Sequence, residues 1–272
     1  MKNKPDNKVV IDRREAVARM EPLLLSEGSR HRPALTDLSL ELAAKASGFR
    51  RSLPLGVLTA LAGLVRAMNC YYSNLIEGHD THPIDIERAL KGDYSKDKTK
   101  RNLQLEAKAH IAVQEWIDVG GLKGRTASAE AACEIHRRFC DLLPEELLWA
   151  ENTETGKKIR IEPGKLREHD VKVGRHVPIS PGAVPRFMRR FEAVFGSLGK
   201  AEAILAAASM HHRLLWIHPF LDGNGRVARL MSHVQLLDLL DTGGVWSVAR
   251  GIARDVTQYK ALLANCDLQR RN

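Results

Sequence analysis

The sequence has few of the devices that hold small secreted or metal-built folds together. It has four cysteines in 272 residues, Cys70, Cys133, Cys140 and Cys266, and none are in C-x-x-C spacing. That excludes the common structural zinc patterns and a disulfide framework, and leaves buried thiols as the expectation. No apolar run approaches the roughly 20 residues of a bilayer-spanning helix, and the opening "MKNKPDNKVVIDRREAV" has no apolar block like that of a secretory signal. These absences predict a cytoplasmic protein with no membrane-spanning part. Aromatic residues make up 5%, too few to interleave with the cations as a stacking platform for single-stranded nucleic acid. No internal repeat or low-complexity tract occurs, and no G-K-[ST] follows a glycine loop, which excludes a P-loop.

What is present is positive charge and helical periodicity. The 42 Lys and Arg against 33 Asp and Glu give a formal charge of +9, an excess that attracts phosphates, whether on nucleotides, nucleic acid or acidic partners. The cations are dispersed along helical faces, which argues against a nucleic-acid site. With 44% hydrophobic and 28% charged residues, the chain reads as one compact globular unit. In "PLGVLTALAGLVRAMNCYYSNLIEG", Leu58, Leu61, Val65, Met68, Tyr72 and Leu75 recur every three or four residues, predicting a buried stripe on a helix over 54–77. Pro54 opens it and Gly78 sits where a left-handed cap belongs. The same reasoning predicts helices near 12–26, 35–48, 83–91, 100–119, 128–142, 184–197, 200–216, 224–241 and 255–264, the last capped by Asp255. One stretch departs from this: Val171 and Val173, a turn at Gly174-Arg175, then Val177 and Ile179 alternate like a β-hairpin. An isolated hairpin is marginal in water, so it must lie on the helical body or engage a partner strand. "ENTETGKKIRIEPG" reads as a loop.

The densest chemistry lies in "HPFLDGNGRVAR", residues 218–229. A loop feeds the N-terminus of a helix, where backbone N–H groups lack partners and the helix dipole attracts an anion. Gly223 and Gly225 allow the backbone to approach a phosphate closely. Arg226 and Arg229 lie one turn further on, with guanidinium forks suited to phosphate oxygens. Asp222 is the loop's one carboxylate and is placed to share Mg²⁺ with phosphates. His218 opens the loop, and the ordinary histidine pKa of about 6.5 suits general-base work near neutral pH. A phosphate cradle, a metal carboxylate, two cations and a base describe phosphoryl or nucleotidyl transfer. His211 and His212 in "MHHRLLW" have no ligand partner at metal spacing and read as structural, and His79 and His82 read as solvated loop residues.

This stretch resembles the H-P-F-x-[DE]-G-N-G-R-x-x-R signature of the Fic-domain family, and the resemblance extends over roughly residues 100–267. It implies an all-α helical bundle with a small β-hairpin flap, in which residues 1–98 form an N-terminal helical region and 99–272 the domain core and C-terminal helix. It implies a protein adenylyltransferase that moves AMP from ATP, with Mg²⁺, to a Ser, Thr or Tyr hydroxyl of a target protein. Self-modification is expected too. By resemblance His218 is the catalytic base, Asp222 the metal ligand, Gly223, Asn224 and Gly225 the anion hole, Arg226 a phosphate ligand and Arg229 the γ-phosphate clamp. Tyr259 stands near the family's adenine position, although the paired aromatics are reduced here to Gln258-Tyr259. Val171, Lys172, Val173, Gly174 and Val177 fall where the family keeps its target-docking flap. "SNLIEG" resembles its inhibitory [ST]-x-x-x-E-[GN] motif, which makes Ser73, Glu77 and Gly78 inhibitory residues and Arg229 the receiver of Glu77. Transfer of another phosphate-containing group, hydrolytic removal of AMP and a non-catalytic nucleotide-binding module remain the alternatives. The resemblance leaves open whether the chain is truncated after "NCDLQRRN".

Overall fold

A computed structural model describes residues 10–79, 81–151 and 156–268. Its α-helices are α1 (Arg32–Ser52), α2 (Leu55–Glu77), α3 (Pro83–Leu90), α4 (Lys98–Asp118), α5 (Ala129–Asp141), α6 (Val184–Phe195), α7 (Lys200–Leu205), α8 (Ala207–Ile217), α9 (Asn224–Leu240), α10 (Val248–Ala253) and α11 (Val256–Asp267). The β-strands among the described residues, β1 (Trp149–Glu151) and β2 (Lys158–Arg160), pair antiparallel. The expected all-α class is the observed one. No single described helix is long and apolar enough to cross a membrane.

Helix α9 lies at the centre, packed against α2, α4, α5, α7, α8 and α10. The core around it joins Phe187 and Phe191 of α6, Leu214 and Ile217 of α8, Phe220, and Val227, Met231 and Val234 of α9. Each such side chain contributes roughly 1.5–3 kcal/mol by leaving water. Because α9 is buried over most of its length, its buried polar groups need partners from its neighbours. His233 meets Asp118 of α4 at 2.7 Å, and Gln235 donates to the Ala203 carbonyl at 3.2 Å. Arg66 of α2 reaches the other oxygen of Asp118 at 3.0 Å, so one carboxylate ties α2, α4 and α9 together. A smaller cluster of Cys70, Ile86, Ala107 and Ile111 seats α2 and α3 on α4.

Several expected elements take other forms. The expected 200–216 helix is divided at Ala206 into α7 and α8. Instead of a helix over 12–26 there is an extended strap with one 3-10 turn, Val17–Arg19. Its polar groups go to tertiary partners: Arg13 grips both oxygens of Asp170 at 2.9 and 2.6 Å, and Glu15 accepts from Ser180 N–H and Oγ at 2.7 and 2.6 Å. Pro22 would interrupt a helix there in any case. The strap lies so close that a Cβ at Gly182 would stand 2.7 Å from that of Asp12. In α2 the buried residues are Leu58, Ala62, Asn69, Cys70, Ser73, Asn74 and Ile76, while Leu75 is 42% exposed. The inward face is thus rotated away from the purely apolar stripe, because α2 packs its Ser73 side onto the polar α9. Cys70 and Cys140 are buried as expected, but Cys266 is exposed.

The hairpin also lies elsewhere in the chain. The segment 149–160, expected as a loop, forms the β1–β2 ladder, with Ala150 opposite Ile159. At the expected hairpin only Val173 and His176 bridge, at 3.0 Å in both directions around Gly174 with φ 58°. Two-residue arms with no third strand give too little pairing to form a ladder. Val177 is 69% exposed, whereas Ile179 turns into the core.

Candidate active site

The loop 218–223 joins α8 to α9 in an unusual backbone. His218 closes α8 in the left-handed region, φ 53° and ψ 63°, where a non-glycine residue is held only if its surroundings fix it. Gly223 opens α9 with φ 78°. Asn224 is buried, and its amide closes the loop on itself, accepting from Phe220 N–H at 3.0 Å and donating to Phe220 O at 2.9 Å. The first bond of α9 runs from Val227 N–H to Gly223 O, 3.0 Å. The N–H groups of Asn224, Gly225 and Arg226 therefore have no intrahelical acceptor and form an anion-binding terminus.

A carboxylate fills that terminus. Glu77, at the end of α2, pairs with Arg229 Nη2, and Arg229 Nε donates to Ser73 Oγ at 2.8 Å. Gly225 is the contact point, since a Cβ there would run into Glu77 Oε1. The Arg229 side chain is 4% exposed and that of Glu77 35%. Burial opposes ionisation of Glu77, but the charge and hydrogen bond of Arg229, with Arg226 and His79 beyond, outweigh it and hold the carboxyl below its usual range. Gly78 then ends the helix at φ 85°, which brings Glu77 to the mouth of the site. Structure and sequence thus bring together Ser73, Glu77, Gly225 and Arg229, although Glu77 and Arg229 are 152 residues apart.

His218 lies on the other side of the loop. Burial first, then the Arg167 charge, lower its pKa to about 4 against the opposing pull of the Leu215 carbonyl and Asp222. It opens onto a cleft of about 550 Å³ lined by Arg13 and Glu15 of the strap, Val171, Lys172 and Val177 of the flap segment, and Trp216. Val173 and Gly174 stand at the flap's turn, outside that lining. The Asp222 residue is exposed. No group of three or more His, Cys, Asp or Glu side chains that could hold a metal ion occurs among the described residues. One accessible carboxylate does not make a resident zinc site, but it fits Mg²⁺, which fills its shell with phosphate oxygens and water.

Tyr259 of α11 is half-buried against α8. Its hydroxyl meets His211 Nε2 at 2.7 Å and lies against Arg229, and burial pushes its pKa up to about 12. His211 also meets Ser232 Oγ at 2.9 Å, in keeping with a structural role. His79 is half-buried, 3.7 Å from Glu106, and is less solvated than its loop position promised.

Three residues near the site carry no motif in the sequence. Glu106 of α4 pairs with Arg226, whose guanidinium also lies 5.0 Å from the Phe139 ring centre. His136 of α5 accepts from Gly164 N–H at 2.9 Å, stacks on Phe220 at 4.1 Å and bonds the backbone of Asp222; burial lowers its pKa to about 4. Arg167, 3% exposed, reaches the His218 carbonyl. All three act through contacts distant in sequence, so no local spacing could reveal them.

Residues 126–236 match the Fic/DOC family. That segment, less than half of the chain, is similar to a Fic domain. Among curated relatives, the protein adenylyltransferase Fic of Drosophila erecta is 40% identical over 79 residues, 28% of this chain and 16% of that protein. The protein adenylyltransferase Fic of Drosophila melanogaster is 35% identical over 99 residues, 36% of this chain and 20% of that protein. The matched part is thus at most a fifth of each relative's length. In fold, the chain is similar to a Fic family protein from Desulfovibrio desulfuricans G20, with TM-score 0.63 and 16% identity over 85% of this chain and 66% of that one. A Fic domain containing signaling protein from Bacteroides thetaiotaomicron VPI-5482 gives TM-score 0.60 and 22% identity, over 84% and 81%. At these identities the structural likeness establishes the Fic fold alone.

Proposed function

We propose that this protein transfers AMP from ATP to a Ser, Thr or Tyr hydroxyl of a target protein, itself included, and that the structure is its restrained state. The observation that carries this is the seat of Glu77: a helix terminus with free N–H groups and two arginines, suited to phosphate, is filled by a carboxylate from another helix. The adenylyltransferase relatives match it over part of the chain and support AMP as the group moved.

In this reading Gly223, Asn224 and Gly225 present backbone N–H groups to the phosphates, Arg226 adds charge and Arg229 clamps the γ-phosphate. The target oxygen attacks the α-phosphorus, the bond to the β-phosphate oxygen breaks, pyrophosphate leaves and His218 takes the hydroxyl proton. Mg²⁺ held by Asp222 would neutralise phosphate oxygens and fix their geometry. Tyr259 serves by bracing Arg229. The region 1–98 supplies the brake and the strap, and 99–272 the catalytic core. Incubating wild type and Glu77→Gly with labelled ATP, UTP, CDP-choline and AMP-modified protein tests the assignment. Label from ATP on protein supports it; transfer only from another donor, or AMP release only, overturns it.

Two further outcomes are expected. The flap backbone is exposed and largely unpaired within the fold, so an extended target segment can align on it by main-chain bonds. Val177→Pro removes a donor there and should reduce target labelling by about tenfold while leaving ATP affinity unchanged, as read by calorimetry. Equal loss of both would point to misfolding. Second, a histidine with a lowered pKa is a competent base above that value and fails below it. Transfer by Glu77→Gly should therefore be level from pH 6 to 8 and fall only as pH drops toward about 4. An acid limb centred near 6.5 in kcat/KM would contradict the environment assigned to His218.

A further inference from the structure

Arg167 stands outside the signature and outside every role assigned so far, yet its contacts converge on the loop. Its Nε donates to the His218 carbonyl at 2.7 Å and its Nη1 to the His169 carbonyl at 3.0 Å. Nη2 is shared between the carbonyls of Ile179, at 2.5 Å, and Ile217, at 3.5 Å. Its own backbone N–H donates to Pro219 O at 2.9 Å.

These acceptors are of two kinds. Ile217 and His218 supply the terminal carbonyls of α8, where the helix dipole is negative and a cation is favoured. His169 and Ile179 are the two roots of the flap, on either side of the Val173–His176 turn. The guanidinium therefore joins three points: both ends of the segment that faces the target cleft and the backbone of the proposed base. No ion pair with a carboxylate is found for Arg167 among the described residues, and burial lowers its pKa to about 10. A charge kept in that setting is costly unless its donors are used, and here carbonyls use them. The planar fork is what permits this, since an ammonium has no fixed geometry with which to reach separate carbonyls.

We propose, on the reading of His218 as base, that Arg167 is a positioning residue that keeps the base and the target-docking flap in one fixed register. It touches no reacting atom. It holds His218 in its left-handed conformation, so that the imidazole faces the cleft, and it fixes the flap roots so that a hydroxyl aligned on the flap arrives at that imidazole. Misplacement of a reacting pair by about 1 Å can cost on the order of 10²-fold, so the expected defect lies in turnover and not in nucleotide binding.

The test uses the full chain carrying Glu77→Gly, with Arg167→Lys and Arg167→Met added separately. Three quantities are read: kcat for AMP incorporation, Kd for ATP, and the titration of His218 by NMR. Arg167→Lys keeps the charge but loses the fork, and should lower kcat by about tenfold with ATP affinity within about twofold. Arg167→Met should lower kcat by on the order of 10²-fold. It also removes a positive charge that faces His218 together with His176 and Asp222, so the His218 titration should move upward from that of the parent. A kcat and His218 titration in Arg167→Met equal to those of Glu77→Gly would overturn the proposal. So would a parallel loss of ATP binding and transfer in Arg167→Lys, which would make the arginine a general folding element. If Glu77→Gly itself transfers no AMP, the functional reading fails, while the NMR titration still reports on the contact between Arg167 and His218.

Discussion

Replacing His218 by alanine should lower AMP incorporation by roughly 10²–10⁴-fold, the range for removal of a general base, while ATP binding persists. The argument is geometric. His218 lies at the junction of the target cleft and the phosphate loop, its backbone is fixed at φ 53°, and its ring is held neutral by burial and the Arg167 charge. Among the described residues, the neighbouring imidazoles have other partners: His136 is engaged with Gly164, His211 with Ser232 and Tyr259, and His176 with the Trp216 carbonyl. Alanine tolerates a left-handed backbone poorly, so His218→Asn is the matched control: asparagine adopts that conformation readily and cannot act as the base. Both variants should fail alike in labelling with α-labelled ATP, with nucleotide affinity followed by calorimetry. Labelling at the parental rate by His218→Asn would remove the histidine from the mechanism.

Arg229→Ala, placed in the Glu77→Gly background, should bring incorporation below detection. In-line transfer needs the γ-phosphate held so that the α-phosphate faces the incoming hydroxyl. Arg229 is prepared for that task by Ser73 and Tyr259, which fix its guanidinium from two sides. Arg226 is already engaged by Glu106 and is not free to take over the clamp. The double variant is the cleaner one, for in the wild type Arg229→Ala would also leave Glu77 without its partner. Removing one member of a buried pair costs about 3–5 kcal/mol, and less here because the Glu77 side chain keeps 35% of its surface. Incorporation within about tenfold of Glu77→Gly alone would show that the clamp lies elsewhere.

The contrast between what the sequence disclosed and what it withheld follows the range of the interactions. The 218–229 loop was legible because its chemistry is local: two glycines, a carboxylate and two arginines act within one helix terminus. The helix over 54–77 and its Gly78 cap were legible for the same reason, through periodicity and a single left-handed residue. That Glu77 meets Arg229 came only from resemblance to a family, since no spacing rule joins residues 152 apart. The strap at 12–15 was misread as helix because its propensities yield to Asp170, Ser180 and Arg186, partners that local periodicity cannot include. The flap was misread as a ladder because alternating valines imply strands, whereas the segment's roots are fixed by Arg167 and its tip has no neighbour to pair with. Glu106 and Arg167 were invisible altogether, each being one charged residue among many on a helix or loop until the fold supplies its partner.

Glu77 as a brake is tested most directly by AMP incorporation from α-labelled ATP into protein, compared between wild type and Glu77→Gly at equal concentration and saturating ATP. Removing the carboxylate frees Arg229 and clears the space over Gly225, so the variant should label itself and added protein at least about tenfold faster, the factor expected from one lost competing contact of about 1.4 kcal/mol. ATP affinity should change by less than the rate. Equal incorporation by the two proteins would contradict this, and would make α2 a scaffold whose terminal glutamate only happens to meet the arginine.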